Sequence, residues 1–454
     1  MFWSRFRCLC VFPVAIALLG IASRSVHGQS GVIVDAEGVL RIRTVADATG
    51  QLARRRQAEA RAVLEADLAR PSPLRKVALN RLEQALGERL AAGAGPTDEM
   101  RYLAGLTRIQ YVFFYPETND LVIAGPAEGY MLDLTGRPIG LASGRSILEL
   151  QDLVVALRAF GPDGRRTQVI RVSIDPTQEG LARMQQFLQQ VGGRALPADT
   201  SRLVQGLRES LGLQQVRING VSPQTHFAQV LVEADYRMKL IGIGLERPPV
   251  KIVSYVERAN PSAVARNALQ RWYFVPNYES VRVSDNGLAM ELVGEGVQLV
   301  GADELVRADG TRVATGQDDR ASKAFVDSFT QRYPELARHS PVYAQLRNLI
   351  DMAIVAAFIQ QQDYYSRSGW ALGVLGDEQA VSVETYEVPR QVETAVNALW
   401  KGRTLMTPIG GGVHIQAAQA LSAGNLLPDE GGKVQQLHQS VDVRQLGDGR
   451  WWWD

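Results

Sequence analysis

Both cysteines of this 454-residue chain, Cys8 and Cys10, fall inside one apolar segment near its start. Nothing beyond that segment can be stapled by a disulfide, ligate a metal through thiolate or attack through sulfur. Whatever folds downstream must be held without covalent cross-links. Small exported domains seldom manage this, but the roughly 426 residues after the segment can bury enough apolar surface without staples.

The apolar segment reads as a leader. Arg5 and Arg7 precede CLCVFPVAIALLGIA, and SRSVHG follows it, with Val26 and Gly28 small enough to flank a signal-peptidase cut. The expected product begins at Gln29 and is exported, to the periplasm or beyond the cell. The apolar run falls short of the roughly 20 residues that span a bilayer, and no cysteine follows it to accept a lipid. Losing Arg5, Arg7 and Arg24 takes the formal charge from +1 to −2. A near-neutral chain carries no overall electrostatic footprint for nucleic acid or anionic membrane. The most apolar later stretch, MAIVAAFI at 352–359, is short and flanked by Asp351 and Gln360, so it predicts a buried helix and no transmembrane segment in the mature chain.

Patterning divides the remainder and predicts an α+β fold. Residues 29–95 open with GVIVDAEGVLRIRTV, a hairpin signal, followed by two helical runs, 51–70 and 72–93, the second started by Ser72 and Pro73. A mixed α/β region follows at 96–195, where IQYVFFYPETNDLVIAGP predicts two strands around a turn and ILELQDLVVALRAF a helix. Region 196–365 holds an α/β unit, an antiparallel β meander (PNY, SDNG, GEG and ADGT as turns) and helices broken at YPE and HSP. Residues 366–454 are glycine-rich, expected as loops over the core, with SVDVRQLGDGRWWWD turning at GDG as a last hairpin. Two segments share a strand, a polar residue before proline (Asp175–Pro176, Ser222–Pro223) and a helix. They are either a duplicated element or two uses of the same helix-start chemistry.

HFAQVLVEADYRMK, residues 226–239, gathers reactive side chains most densely. As a helix it presents Phe227, Val230, Leu231, Ala234 and Met238 as one apolar stripe. Glu233 to Arg237 and Asp235 to Lys239 are four apart, acid first, the favourable order for solvated surface pairs. His226 and Glu233 stand about 10 Å apart along the axis, too far to bond, so an acid/base pair there needs a partner from another element. Tyr236 and Arg237 are the residues left open to meet one. Trp451, Trp452 and Trp453 could bind a glycan or protein partner, or form a docked terminal strand with one indole exposed.

Local signatures for chemistry are lacking. IGIGLERPP has two glycines of a dinucleotide fingerprint and Arg247 in the third place; Gly242 is better placed to end a helix and admit close packing. His226, His339, His414 and His438 are scattered without metal-ligand spacing, and SDNG and DEGG are turn sequences rather than calcium loops. GLASG and GGGVH miss the serine-hydrolase patterns by position. No catalytic residue, cofactor or metal is assigned from these signals.

Four stretches, IDPTQEGLARMQQFL, THFAQVLVEADYRMKLIGIGLE, RWYFVPNYESVRVSDNGLAMELVGEGVQLVG and YAQLRNLIDMAIVAAFI, resemble a family of exported planctomycete proteins of unknown function, over roughly residues 30–365. The resemblance implies export from a bacterial cell and no particular activity. Together these readings favour a non-catalytic binding or structural component of the envelope or extracellular space, its partner an envelope or extracellular protein or a glycan. The alternative is an extracytoplasmic hydrolase of polysaccharide or peptide with a site assembled from distant segments.

Overall fold

The computed structural model of the protein describes residues 31–43, 45–192, 197–259, 268–306, 312–314, 320–397, 409–447 and 449–454. The expected leader and the ADGT turn lie outside them. The fold is α+β.

The chain opens with the hairpin β1 (Val32–Val34) and β2 (Val39–Ile42), as DAEG predicts, and then α1 (Gln51–Val63). The second expected helix is not one element. Ser72 and Pro73 begin a strand, β3 (Ser72–Ala78), and only then does α2 (Leu79–Ala91) start. Leu74 and Ala78 pack into one apolar cluster and Val77 into another. A strand buried on both faces, paired to neighbours on both edges, overrides the local helical preference. PETND turns as expected between β4 (Tyr111–Tyr115) and β5 (Asp120–Ala127). A two-stranded ribbon, β6 (Tyr130–Leu132) and β7 (Pro138–Gly140), leads to α3 (Leu150–Ala159).

Next come β8 (Ile170–Asp175), α4 (Gln178–Val191), α5 (Thr200–Leu211), β9 (Gln214–Asn219) and α6 (His226–Gly242). The helix caps are not the residues before proline. Thr177 Oγ1 accepts from the Gly180 amide at 2.9 Å, and Thr225 Oγ1 from the Ala228 amide at 3.2 Å. Asp175 remains in its strand, bonded to Arg271 at 2.7 Å. α6 packs on the sheet, whereas α4 packs against α5, so the two strand–helix units share their start chemistry but not their environment.

The expected meander is divided between sheets. β10 (Ala268–Pro276), β13 (Val297–Val306) and β14 (Arg312–Ala314) join one sheet; the hairpin β11 (Val281–Val283) and β12 (Ala289–Leu292) joins the other. Pro334 does not break its helix. It lies within α7 (Arg320–His339), and the break falls at Ser340, before Pro341 opens α8 (Pro341–Gln361). The C-terminal region is built into the fold. It supplies β15 (Gln391–Val392), β16 (Ile409–Ile415), β17 (Leu426–Leu427), α9 (Lys433–Ser440) and β18 (Trp452–Trp453). Among the described residues the tail forms no hairpin with itself; β18 pairs with β3 instead.

Among the described residues one sheet has nine strands, ordered β1-β2-β15-β9-β8-β16-β10-β13-β14, and the other seven, ordered β17-β11-β12-β4-β5-β3-β18. One continuous core joins them through α3, α6, α7 and α8. α8 is long and apolar enough to cross a membrane, yet its whole apolar stretch is buried, as MAIVAAFI predicts for a core helix. On the seven-stranded sheet, Val112 and Phe114 face this core, while Phe113 and Tyr115 face a second cluster made with Val434, Val443 and Trp453.

Candidate functional site

The stripe expected on α6 is fully buried, and both expected ion pairs form: Arg237 to Glu233 at 3.3 Å and Lys239 to Asp235 at 2.8 Å. They are not solvated surface pairs, because Glu233, Asp235 and Lys239 are buried. Glu233 and Lys239 each gain a further bond, as buried charges favour. Lys239 also donates to the Ile174 carbonyl at 2.9 Å, and Glu233 receives Arg137. Arg237 reaches Glu246 at 2.9 Å. Tyr236 is half-buried against the core, and burial pushes its phenol above the usual range.

The partner that His226 needs comes from α3. Thr225 caps α6, which fixes His226 as its first residue. Glu149 immediately precedes α3, and Asp152 sits in its first turn, where carboxylates are favoured by the helix dipole. The two helices pack together and bring these three side chains into one cluster, at side-chain exposures of 0% for His226, 4% for Glu149 and 6% for Asp152. His226 Nδ1 lies 2.9 and 3.0 Å from the two Asp152 oxygens. His226 Nε2 faces Glu149 Oε1 at 3.7 Å, and neither atom has a hydrogen bond. The other Glu149 oxygen accepts from Gln151 Nε2 at 2.7 Å, and Gln151 in turn lies 3.2 Å from the Tyr386 hydroxyl. The Tyr386 ring stands over the histidine, centroids 5.7 Å apart.

The electrostatics follow from this enclosure. Burial draws the His226 imidazolium down, but the Asp152 and Glu149 carboxylates outweigh it and raise its pKa to about 9. Burial pushes Glu149 up, against the opposing pull of His226. Chemically, the arrangement can hold a proton between an imidazole and a carboxylate, or a cation in its place.

Tyr236 and Arg237 do not reach this cluster. Ten or more residues along α6 place them about 15 Å from His226. Trp451, Trp452 and Trp453 are buried to 5–6% exposure, so no indole is left exposed as the tail pattern suggested. β18 needs its side chains for docking: Trp452 bonds Glu99 and lies 4.6 Å beneath the Arg75 guanidinium, and Trp453 lies 5.6 Å from Lys76 Nζ. Glu149 and Asp152 carry no signal in the sequence. They stand 77 and 74 residues before His226, and only the packing of α3 on α6 joins them.

No curated protein and no solved structure matches the chain. Residues 172–255, from β8 past the end of α6 and including His226 but neither carboxylate, match a family model described as a protein of unknown function, DUF1598.

Proposed function

We propose that the protein is an exported, non-catalytic binding or structural component of the bacterial envelope or extracellular space, cut from its leader near Gly28–Gln29. The observation that carries this reading is the enclosure of the His226 cluster. The side chains best equipped for acid/base work are sealed between α3 and α6, with His226 bonded to Asp152 across the two helices. There the His226–Asp152 bond clamps two helices, a structural role that buried polar contacts perform. The basic and apolar leader and the resemblance to exported planctomycete proteins support export. Incubating the purified mature protein with envelope extract and with isolated envelope polymers tests the reading: stable retention of one protein or glycan is expected. Sustained hydrolysis of a polysaccharide or peptide, lost on His226→Gln while the fold is kept, overturns it. Mass spectrometry of exported material should find Gln29 as the first residue; an intact Met1 refutes the cleavage.

A further inference from the structure

We propose that His226 Nε2 and Glu149 Oε1 are ligands of a buried divalent transition ion of the zinc class. The inference stands whether or not the protein is catalytic. Both atoms are fully enclosed, point at one another across 3.7 Å, and have no hydrogen bond. Leaving two buried polar atoms without a partner is costly, and 3.7 Å is too long for them to satisfy each other directly. Two donors bound to one zinc ion at about 2.0–2.1 Å stand roughly 3.3–3.4 Å apart in tetrahedral geometry. An ion seated between them requires the pair to close by only a few tenths of an ångström.

The surroundings are those a metal-binding imidazole has. Asp152 engages Nδ1 with both oxygens, which holds the proton on Nδ1 and turns the Nε2 lone pair outward, the carboxylate–histidine–metal arrangement. Gln151 ties back the far oxygen of Glu149 and leaves Oε1 facing the ring. All three residues bring a ligand-capable atom within 4.8 Å of the other two, so Asp152 is also within reach of a third position. Once an ion displaces the Nε2 proton, two carboxylates beside a neutral imidazole carry two negative charges, which a divalent ion cancels. The nearby cation, Arg137, is committed to Glu233. The donors are one nitrogen and carboxylate oxygens, with no thiolate, a set that suits zinc or manganese over copper(I).

The test uses the mature chain without a histidine tag, unfolded in denaturant with a chelator, then refolded with and without zinc or cobalt. The expected results are about one bound ion per chain by elemental analysis, visible absorption on loading with cobalt, and a higher Tm in the metal-refolded sample. Glu149→Gln, nearly isosteric, should lose the ion and the Tm response, and Asp152→Asn should weaken binding by roughly 10–100-fold. His226→Gln serves as an independent ligand deletion if Glu149→Gln fails to fold. A metal-free wild type with no Tm response to either ion overturns the proposal, as does full metal content in both ligand variants.

Discussion

Arg75 is a guanidinium with no exposed surface, held in a cage of backbone. It donates to the carbonyls of Asp67, Leu68, Arg70 and Ala104 and clasps Asp454 with two bonds of 2.7 and 2.9 Å. Asp454→Asn removes the carboxylate that pairs with Arg75, and because Asp454 is partly exposed the expected loss is about 2–3 kcal/mol, below the ~3–5 of a fully buried pair. Burial opposes ionisation of Asp454, but Arg75 outweighs it and holds the carboxyl below its usual range. A depressed folded value makes this contribution complete above about pH 4 and lost as pH falls through the folded value. Urea unfolding of wild type and Asp454→Asn across a pH series should therefore differ most at neutral pH, with the difference shrinking as the pH is lowered below about 4. At Gly242, a methyl group would lie 2.2 Å from the buried ring of Trp272. Gly242→Ala should cost about 1–3 kcal/mol by overpacking, with a red shift in tryptophan emission as the ring is displaced. That glycine is legible in the sequence as a site of close packing and a helix end. The partners of His226 are not, because the residues that complete its cluster belong to another helix and follow no spacing rule.

Elements defined by local pattern are readable; elements defined by distant neighbours are not. The β4–β5 hairpin and the buried stripe of α6 follow from alternation and from 3.6-residue periodicity. β3 has neither a turn on its N-terminal side nor a strand-like composition, and its partners β5 and β18 lie downstream, β18 more than 370 residues away. β16 is hidden by GGG, which reads as a loop. In the structure Gly411 adopts φ +145° and passes so close to Trp272 that a side chain would meet its carbonyl at 1.9 Å. α9 is a cover element whose hold is expected to depend on pH. His438 Nε2 lies 3.0 Å from the Phe114 carbonyl, and its ring stacks on Tyr115 with centroids 4.5 Å apart. Burial lowers its pKa against the opposing pull of the Phe114 carbonyl. The unfolded chain therefore takes up a proton below about pH 6.5 that the folded chain excludes, and stability falls as pH drops from there to the folded value. Hydrogen exchange in 433–440 should accelerate between pH 7 and pH 5.5 after correction for intrinsic rates. His438→Gln should remove the pH dependence.

At the scale of the whole molecule, each sheet is assembled from segments spread along nearly the entire chain. The nine-stranded sheet takes β1 and β2 from the start and β16 from near the end, and β16 lies in its interior, between β8 and β10. Alternating patterns identify strands but not which sheet receives them, so the α+β class is legible while the interleaving is not. The consequence is a test of cooperativity. Ending the chain at residue 365 removes two interior strands of one sheet, β15 and β16, exposing the backbone edges of β8 and β10, and strips β17, β18 and α9 from the other. Unpaired central edges carry rows of unsatisfied amides and carbonyls that template aggregation, and Phe113, Tyr115 and Val122 lose the cluster that covers them. The truncated chain should be insoluble or lack a sigmoidal unfolding transition, whereas residues 29–454 should unfold in a single step by both circular dichroism and tryptophan emission. A soluble 29–365 fragment with its own cooperative transition would show instead that the C-terminal region is an appendage, and that the core formed by α3, α6, α7 and α8 closes without it.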